Sequence, residues 1–358
     1  MNREIWILGA TGRIGRAVAA RLHEAGFRPV LVGRNGARLR SIAAEIAELG
    51  AHGDEPPIVV GEFDDVLTSL AEAAPAVVVN TVGPFTRTAP QVIRACPPGT
   101  HYVDLANELD AVSGVLDLHE EAVASHRVCV VGAGFGVLAT ESIVLQLCAD
   151  QPQAARVRVD AMASVAVEAG VLGTALAATI LEGLPTGGRR VDGGRMVRAR
   201  MGAEPEHLIT PDGIALSTAS LPSGELLAAW RASGAASVVA ASGAAPTSLV
   251  ARAIMPALSA LLRVQAIRRF AVGRLARMTV RAKERPREFS WAHARVEWAA
   301  GETRDGWLRA GDGMEFTAAV ASEVAGRLAS GDGRPGAYTP GALFGPSLAI
   351  DAGAQFVI

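Results

Sequence analysis

Three glycines in seven residues, Gly9-Ala10-Thr11-Gly12-Arg13-Ile14-Gly15, constrain this chain more than any other feature. They lie directly behind an apolar run, Glu4–Gly9, and ahead of Arg13–Ala25, where Ile14, Val18 and Leu22 fall on one helical face. Strand, glycine turn and helix in that order are the first βα turn of a nucleotide-binding α/β sheet. Gly9 permits the tight turn, Gly12 lets the backbone approach a pyrophosphate, and Gly15 lets the helix pack on the strand. The helix amino terminus then turns unpaired N–H groups towards the phosphates. A glycine turn that binds nothing is the competing reading, and its placement between strand and helix weighs against it.

The pattern continues. Strands are predicted at Pro29–Gly33, Ile58–Gly61, Ala76–Asn80, His101–Leu105 and Arg127–Gly132. Helices are predicted around Leu39–Leu49, at Val66–Ala73, at Pro90–Cys96 and over Glu108–Ser125. Six strands with intervening helices make an α/β Rossmann domain with a doubly wound parallel sheet over residues 1–133. Beyond Gly134 the texture changes. Ala155–Glu168 alternates like a half-exposed strand, and Arg277–Lys283 with Phe289–Ala299 reads as a hairpin. Residues 134–334 are therefore expected to form a second, α+β domain with a mixed or antiparallel sheet for substrate binding or dimerisation. Gly183–Gly202 reads as a mobile loop. Ser248–Met278 reads as one long helix with Ile254, Leu258, Leu261, Leu262 and Ile267 on one side. Its arginines would suit a membrane surface, but a core or subunit-interface helix is the commoner outcome.

Composition excludes several classes. The formal charge of −2 lacks the basic face of a nucleic-acid binder. Cys96, Cys129 and Cys148 have no metal-ligand spacing and read as free thiols in a reducing compartment, so no metal is expected. The amino terminus runs straight into a strand, and no stretch approaches the roughly 18 apolar residues of a membrane span. A cytoplasmic protein acting on a small molecule is the expectation, with a homodimer allowed.

The choice of dinucleotide is read at the end of the second strand. An NAD site places a carboxylate there, roughly 20 residues past the motif, for the ribose 2′-hydroxyl. This chain has Gly33-Arg34-Asn35. Arg34 can grip a 2′-phosphate and stack on adenine, with Arg13 and Arg38 in support, so NADP(H) is expected. Asn80-Thr81-Val82-Gly83-Pro84-Phe85 leaves the fourth strand at its carboxyl end, where ligands bind in such sheets. The expected cofactor contacts are Gly9, Thr11, Gly12, Arg13, Ile14, Gly15, Arg34, Asn35, Thr81, Val82, Gly83, Pro84 and Phe85.

At Asn80–Phe85, Ala95-Cys96 and the more specific Gly99–Glu108 segment, the chain resembles the bacterial saccharopine dehydrogenase-like oxidoreductases, which include trans-acting enoyl reductases. Looser similarities lie at Gly173-Thr174, at Pro222-Ser223-Gly224-Glu225, at Arg231-Ala232-Ser233-Gly234 and at Tyr338-Thr339-Pro340. The resemblance implies NAD(P)-linked chemistry at a C=N or C=C bond and a carboxyl tail, residues 335–358, that returns to the first domain. Two departures stand out. The family's Gly-Phe-Asp is Gly134-Phe135-Gly136, and its Tyr-Gly is Thr88-Ala89, which takes polar groups away from the expected pocket.

Hydride transfer often needs a proton donor beside the acceptor carbon. With Tyr102, Tyr338 and Lys283 as the only tyrosines and lysine, no Tyr-x-x-x-Lys pair can form, and lysine-forming chemistry is excluded as well. The remaining candidates are His101, Tyr102, Asp104 and Glu108 at the end of the fifth strand. Asp104 is the better candidate for the pocket and Tyr102 for the proton donor; the alternative is that both only anchor the strand end. His293, between Trp291 and Trp298, reads as a sheet residue. An imine or enoyl reductase acting on a largely apolar or amino-acid-derived substrate is the leading reading. A non-catalytic NADP(H) sensor and a reductase subunit that needs a partner are its rivals.

Overall fold

A computed structural model describes residues 4–49, 54–171, 177–178, 181 and 187–358. The chain divides into two compact units. The first comprises residues 1–106, 111–134 and 314–344, and the second residues 107–110, 135–313 and 345–358.

In chain order the first stretch contains β1 (Glu4–Leu8), α1 (Arg13–Glu24), β2 (Arg28–Gly33), α2 (Gly36–Leu49), β3 (Ile58–Val60), α3 (Phe63–Ala73), β4 (Val77–Asn80) and α4 (Phe85–Ala95). There follow β5 (His101–Asp104), α5 (Leu109–Leu116), α6 (His119–Ala124) and β6 (Val128–Val130). The second stretch contains α7 (Phe135–Cys148), β7 (Arg156–Met162), β8 (Gly170–Val171), β9 (Gly188–Asp192), β10 (Arg195–Ala199), β11 (Glu206–Ile209) and β12 (Ala215–Ser220). It continues with α8 (Gly224–Ser233), β13 (Ser237–Ser242), α9 (Leu249–Leu262), α10 (Gln265–Ala276), β14 (Thr279–Val280), β15 (Ser290–Glu297) and β16 (Thr303–Ala310). The chain closes with α11 (Gly313–Ala329), β17 (Gly336–Tyr338), α12 (Pro340–Phe344), α13 (Ser347–Asp351) and β18 (Gln355–Val357).

The first unit is a seven-stranded sheet in the order β17-β6-β5-β4-β1-β2-β3, parallel throughout. A parallel sheet covered on both faces needs strands apolar at every position, and Ile5, Trp6, Ile7 and Leu8 of β1 are all buried. Helix α1 buries Val18, Ala19 and Leu22 against it. Its end is closed at Gly26, whose φ is +78°, with Phe27 N–H donating to Leu22 O and Gly26 N–H to His23 O. The seventh strand comes from the carboxyl-terminal part of the chain, a return the six-strand count does not contain. Arg127 is buried beside it and donates to the carbonyls of Ile93 and Cys96, capping the exit of α4.

The second unit is built on a nine-stranded mixed sheet, β10-β9-β13-β7-β15-β16-β18, with the β11–β12 hairpin branching from β13. β7 runs parallel to β13 and antiparallel to β15. Its apolar face, Val157, Val159 and Ala161, lies on the side of α7 and α8. On the other face Met162, Leu208 and Trp291 form a cluster beside a buried polar network. Asp160 Oδ1 accepts from Thr218 Oγ1 at 2.6 Å and Arg158 Nη2 at 2.9 Å, and Oδ2 from His293 Nδ1 at 3.1 Å. The other His293 nitrogen lies 2.9 Å from Asp305.

Several local expectations change. The Gly183–Gly202 segment, expected as a loop, supplies the β9–β10 hairpin from Gly188 onward, because Arg189–Val191 and Met196–Arg198 pair across the tight Gly193-Gly194 turn. β14 pairs with β8, and β15 with β7 and β16, so the expected hairpin between them does not form. The long helix breaks into α9 and α10 at Arg263-Val264, and Glu108–Ser125 breaks at Asp117-Leu118. The returning segment begins at 314, earlier than 335, and the last residues leave it again: β18 pairs antiparallel with β16, Trp307 opposite Val357. Gly173-Thr174 lie outside the described residues.

Burial would push the Asp160 carboxyl up, but hydrogen bonds from His293, Arg158 and Thr218 and the charge of Arg158 outweigh it and hold it below the ordinary range. A group depressed in the folded state contributes stability above its unfolded pKa and loses it as pH falls. Asp160→Asn is expected to cost about 3 kcal/mol at pH 7, because it leaves Arg158 and His293 without their counter-charge. Urea unfolding should show that loss shrinking as pH falls below the ordinary carboxylate range.

Candidate cofactor site and a buried carboxyl in the second unit

In the first unit the glycine turn has the geometry of a phosphate cradle. Gly9 (φ +81°) and Ala10 donate their amides to Val32 O at 3.0 and 3.1 Å, which ties the turn to the end of β2. A Cβ on Gly15 would meet Gly9 O at 2.5 Å, and one on Gly9 would meet Thr81 Oγ1 at 2.7 Å. Gly12 caps α1 with no side-chain acceptor, and no acidic residue stands in the first helical turn. The Gly12 amide donates to Gly9 O at 2.9 Å, and the partial positive charge of the helix amino terminus favours an anion there.

Beside this turn is a cleft of about 510 Å³ lined by Thr11, Arg34, Asn35, Gly36 and Glu62. Arg34 is exposed and makes no ion pair among the described residues. Asn35 spends its Oδ1 on the α2 amino terminus, accepting from Arg38 N–H at 3.0 Å. Arg13 lies 3.8 Å from Glu315 in the returning segment, so its charge already has a counter-ion. Glu62 is the residue that the end of β2 does not reveal. It enters from the turn between β3 and α3 and brings a carboxylate to a cleft whose β2 end has none.

The β4 exit loop is held by a chain of buried hydrogen bonds. Thr81 Oγ1 donates to Leu8 O at 2.7 Å, fastening the loop to the phosphate turn. Asn80 is fully buried: its Oδ1 accepts from Val82 N–H at 3.0 Å, and its Nδ2 donates to Thr88 Oγ1 and Tyr102 Oη, both at 3.1 Å. Thr88 Oγ1 donates to Val82 O at 2.6 Å. Tyr102 Oη donates to Asp104 Oδ2 at 2.9 Å, and Asp104 Oδ1 accepts the amides of Ala106 and Gly132, both at 3.0 Å. Tyr102 and Asp104 are thus brought together, both at 0% exposure. Val82, Gly83 and Pro84 are half-buried on the loop, Ile14 is half-buried in α1, and Phe85 is buried. His101 accepts the Val128 amide through Nδ1, which bridges two strands.

The second unit holds a carboxyl that the motif reading passes over. Glu225, in the first turn of α8, is 4% exposed. Its Oε1 accepts from Asn107 Nδ2 at 3.2 Å, and its Oε2 is buried. A Cβ on Gly136 would lie 2.1 Å from Glu225 Oε1, so a side chain at 136 would push the end of Glu225 aside. The glycine at 136 therefore does not leave this spot apolar, since the side chain of Glu225 fills it. Burial pushes the Glu225 carboxyl up, against the hydrogen bonds that favour its ionised form. Among the described residues no cluster fit for a metal ion is present, and no helix is long and apolar enough to cross a membrane.

No family model matches the chain. A trans-acting enoyl reductase of Mycobacterium leprae is 35% identical over 149 residues, 40% of this chain and 35% of that protein. The protein of the same name from Mycobacterium tuberculosis H37Rv is 34% identical over 149 residues. A further Mycobacterium tuberculosis relative of that kind is 32% identical over 221 residues, 58% of this chain and 52% of its own length. The matches thus span from about a third to about half of these relatives. Among solved structures, a metagenomic short-chain oxidoreductase in complex with NADP overlays with a TM-score of 0.31 at 18% identity, over 36% of this chain and 80% of that one. A short chain dehydrogenase from Salmonella enterica serovar Typhi gives the same score at 16% identity, over 36% of this chain and 75% of that one. Overlays at that score are too loose to bear on function.

Burial raises the Asp104 carboxyl from 3.8 to about 6, against the amide and hydroxyl hydrogen bonds that favour its charged form. A raised group contributes stability that is full below its unfolded pKa and lost as pH rises through the folded one. Asp104→Asn keeps an oxygen for both amides. The unfolding free energy of wild type minus this variant is expected to fall by on the order of 3 kcal/mol between pH 3.8 and about 6, and a flat difference overturns the assignment.

Proposed function

We propose that the chain is an NADP(H)-dependent oxidoreductase that reduces a C=C or C=N bond of a largely apolar or amino-acid-derived substrate. The observation that carries this is the uncapped α1 amino terminus behind Gly9, Gly12 and Gly15, next to a cleft in which Arg34 is the exposed cation. The residues fit the cofactor, since the glycines leave room where a Cβ would clash and the positive end of α1 suits a pyrophosphate. Thr11 and Ile14 would border the phosphates, and Arg34 would take the 2′-phosphate, with Asn35 holding the start of α2 beneath it. Thr81, Val82, Gly83, Pro84 and Phe85 would border the nicotinamide half. Arg13 is given a lesser part because Glu315 faces it. When bound, the cofactor supplies a hydride. The stretch shared with proteins named trans-acting enoyl reductase supports a C=C bond as the target. A soluble, cytoplasmic setting fits the expected chemistry.

Of the acid–base candidates, Tyr102 and Asp104 serve as positioning groups in this reading. Both are closed off by the hydrogen bonds that shape the Asn80–Phe85 loop. Glu225, in the second unit, is a further buried carboxyl: burial raises it, and Asn107 Nδ2 donates to its Oε1.

Titration with NADPH and NADH tests the cofactor. NADPH is expected to bind at least tenfold more tightly than NADH, and Arg34→Ala to remove the preference. Equal binding of both by the wild type would sink it. NADPH consumption with an α,β-unsaturated acyl thioester tests the reduction. Tyr102→Phe should mainly weaken NADPH binding and stability. A kcat about 100-fold lower at unchanged affinity and melting temperature would instead make Tyr102 the proton donor.

A further inference from the structure

Arg13 opens α1, and a cation is badly placed there. The amino terminus of a helix carries a partial positive charge, which favours an anion and repels a guanidinium. The first turn of α1 contains no acidic residue, and Gly12 caps it without a side chain. Glu315 meets the need from far along the chain: its Oε1 lies 3.8 Å from Arg13 Nη2. Glu315 itself stands in the first turn of α11, where the same partial charge favours a carboxylate. One side-chain anion thus sits where a helix terminus and an arginine would both suit a phosphate.

The pair lies at the ligand edge of the first unit, on the side away from the Arg34 cleft. A Cβ on Gly134, just past β6, would lie 3.1 Å from Thr317 Cγ2, so the start of α11 is packed at the carboxyl end of β6. In the sheet, β4, β5 and β6 lie on one side of β1, and β2 and β3 on the other. Arg13 therefore reaches from the end of β1 towards the β6 side. The Arg34 cleft lies at the β2 and β3 ends, and Arg13 is not among its lining residues. The two side chains also differ in burial, with Arg13 19% exposed and Glu315 52%. The arginine is largely enclosed, whereas the carboxylate can turn out to water at little cost.

We propose that Glu315 is a built-in counter-anion, which the pyrophosphate of the dinucleotide displaces from Arg13. This rests on the assignment of a dinucleotide to the glycine turn, and it gives Arg13 to the pyrophosphate and Arg34 to the 2′-phosphate. Arg13 then exchanges one anion for another on binding, and Glu315 is left facing the newcomer with like charge. A half-exposed carboxylate at 3.8 Å is a weak partner, and a phosphate group that can take two guanidinium hydrogen bonds wins the exchange. The ion pair lowers the affinity for NADPH and NADH alike, because the pyrophosphate is common to both.

Equilibrium titration of the full chain with NADPH, NADH and adenosine 2′-monophosphate tests this without turnover. Glu315→Gln should tighten NADPH and NADH by the same factor, about threefold at low salt, and the factor should shrink as salt rises from about 0.05 to 0.5 M. Adenosine 2′-monophosphate has the 2′-phosphate but no pyrophosphate, and its affinity should not move. With Arg13→Gln already present, Glu315→Gln should bring no gain, since the carboxylate then turns to solvent. A Glu315 that only supports α11 would shift the melting temperature without producing this pattern. Unchanged or weaker dinucleotide binding by Glu315→Gln overturns the proposal. So does a gain confined to NADPH and adenosine 2′-monophosphate, which gives Arg13 to the 2′-phosphate. If the wild type binds neither dinucleotide, the cofactor assignment falls as well; if it binds them and ignores Glu315→Gln, this inference falls alone.

Discussion

The carboxyl ends of β4, β5 and β6 all stop short of the ligand edge of the first sheet, and one buried carboxyl group gathers them. Asp104 accepts the amide of Gly132 past β6, the amide of Ala106 past β5 and the hydroxyl of Tyr102 within β5. Tyr102 passes the constraint to Asn80 at the end of β4, and Asn80 fixes the amide of Val82. Backbone groups at the end of a parallel sheet have no further strand to pair with, and leaving them buried and unpaired would cost more than the desolvation of one acid. That acid is expensive in its own right, as its raised pKa shows. The ligand-binding edge thus has fixed loops at the expense of stability near neutral pH.

The same edge explains how the phosphate turn is held. Thr81 donates to Leu8 O and sits where a side chain on Gly9 would clash, so the β4 loop and the glycine turn are fitted to each other. Glycine is required at 9 for its positive φ as well as for this approach. Charge in the cleft beside the glycine turn is less simple than the β2 end implies. Arg34 is open, Arg13 is countered by Glu315, and Glu62 adds a carboxylate. A 2′-phosphate there would lean on Arg34 more than on a cluster of arginines, and Glu62 would be better placed to accept from a donor such as the adenine amino group.

What the sequence makes legible follows from the range of the interactions. The first six strands, α1 and the glycine turn are set by local periodicity and by turn chemistry within a few residues, and they appear in the structure as the pattern predicts. β17 has three residues, Gly336-Ala337-Tyr338, too few to carry a period, and exists because β6 offers it a parallel edge. The β9–β10 hairpin is hidden by its arginines and glycines, which read as loop until Val191 is seen against Val238 of β13. β15 is recognised as a strand, yet its partners lie more than a hundred residues away in β7 and just beyond it in β16, and no local rule chooses them.

The candidate site divides along the same line. Glycine and arginine positions announce themselves because each sits at a fixed offset from one strand end. Glu225 does not, because its meaning depends on Gly136 and Asn107, each about ninety residues or more away in sequence. Judged singly, Gly136 looks like a lost acid and Glu225 like an ordinary first-turn acid. Together they let the carboxyl of Glu225, in the first turn of α8, reach the first turn of α7. Either helix terminus would favour its charged form, so burial, rather than the helix, is what keeps this carboxyl's affinity for a proton high. A group so placed can hold a proton where an exposed glutamate would have lost it.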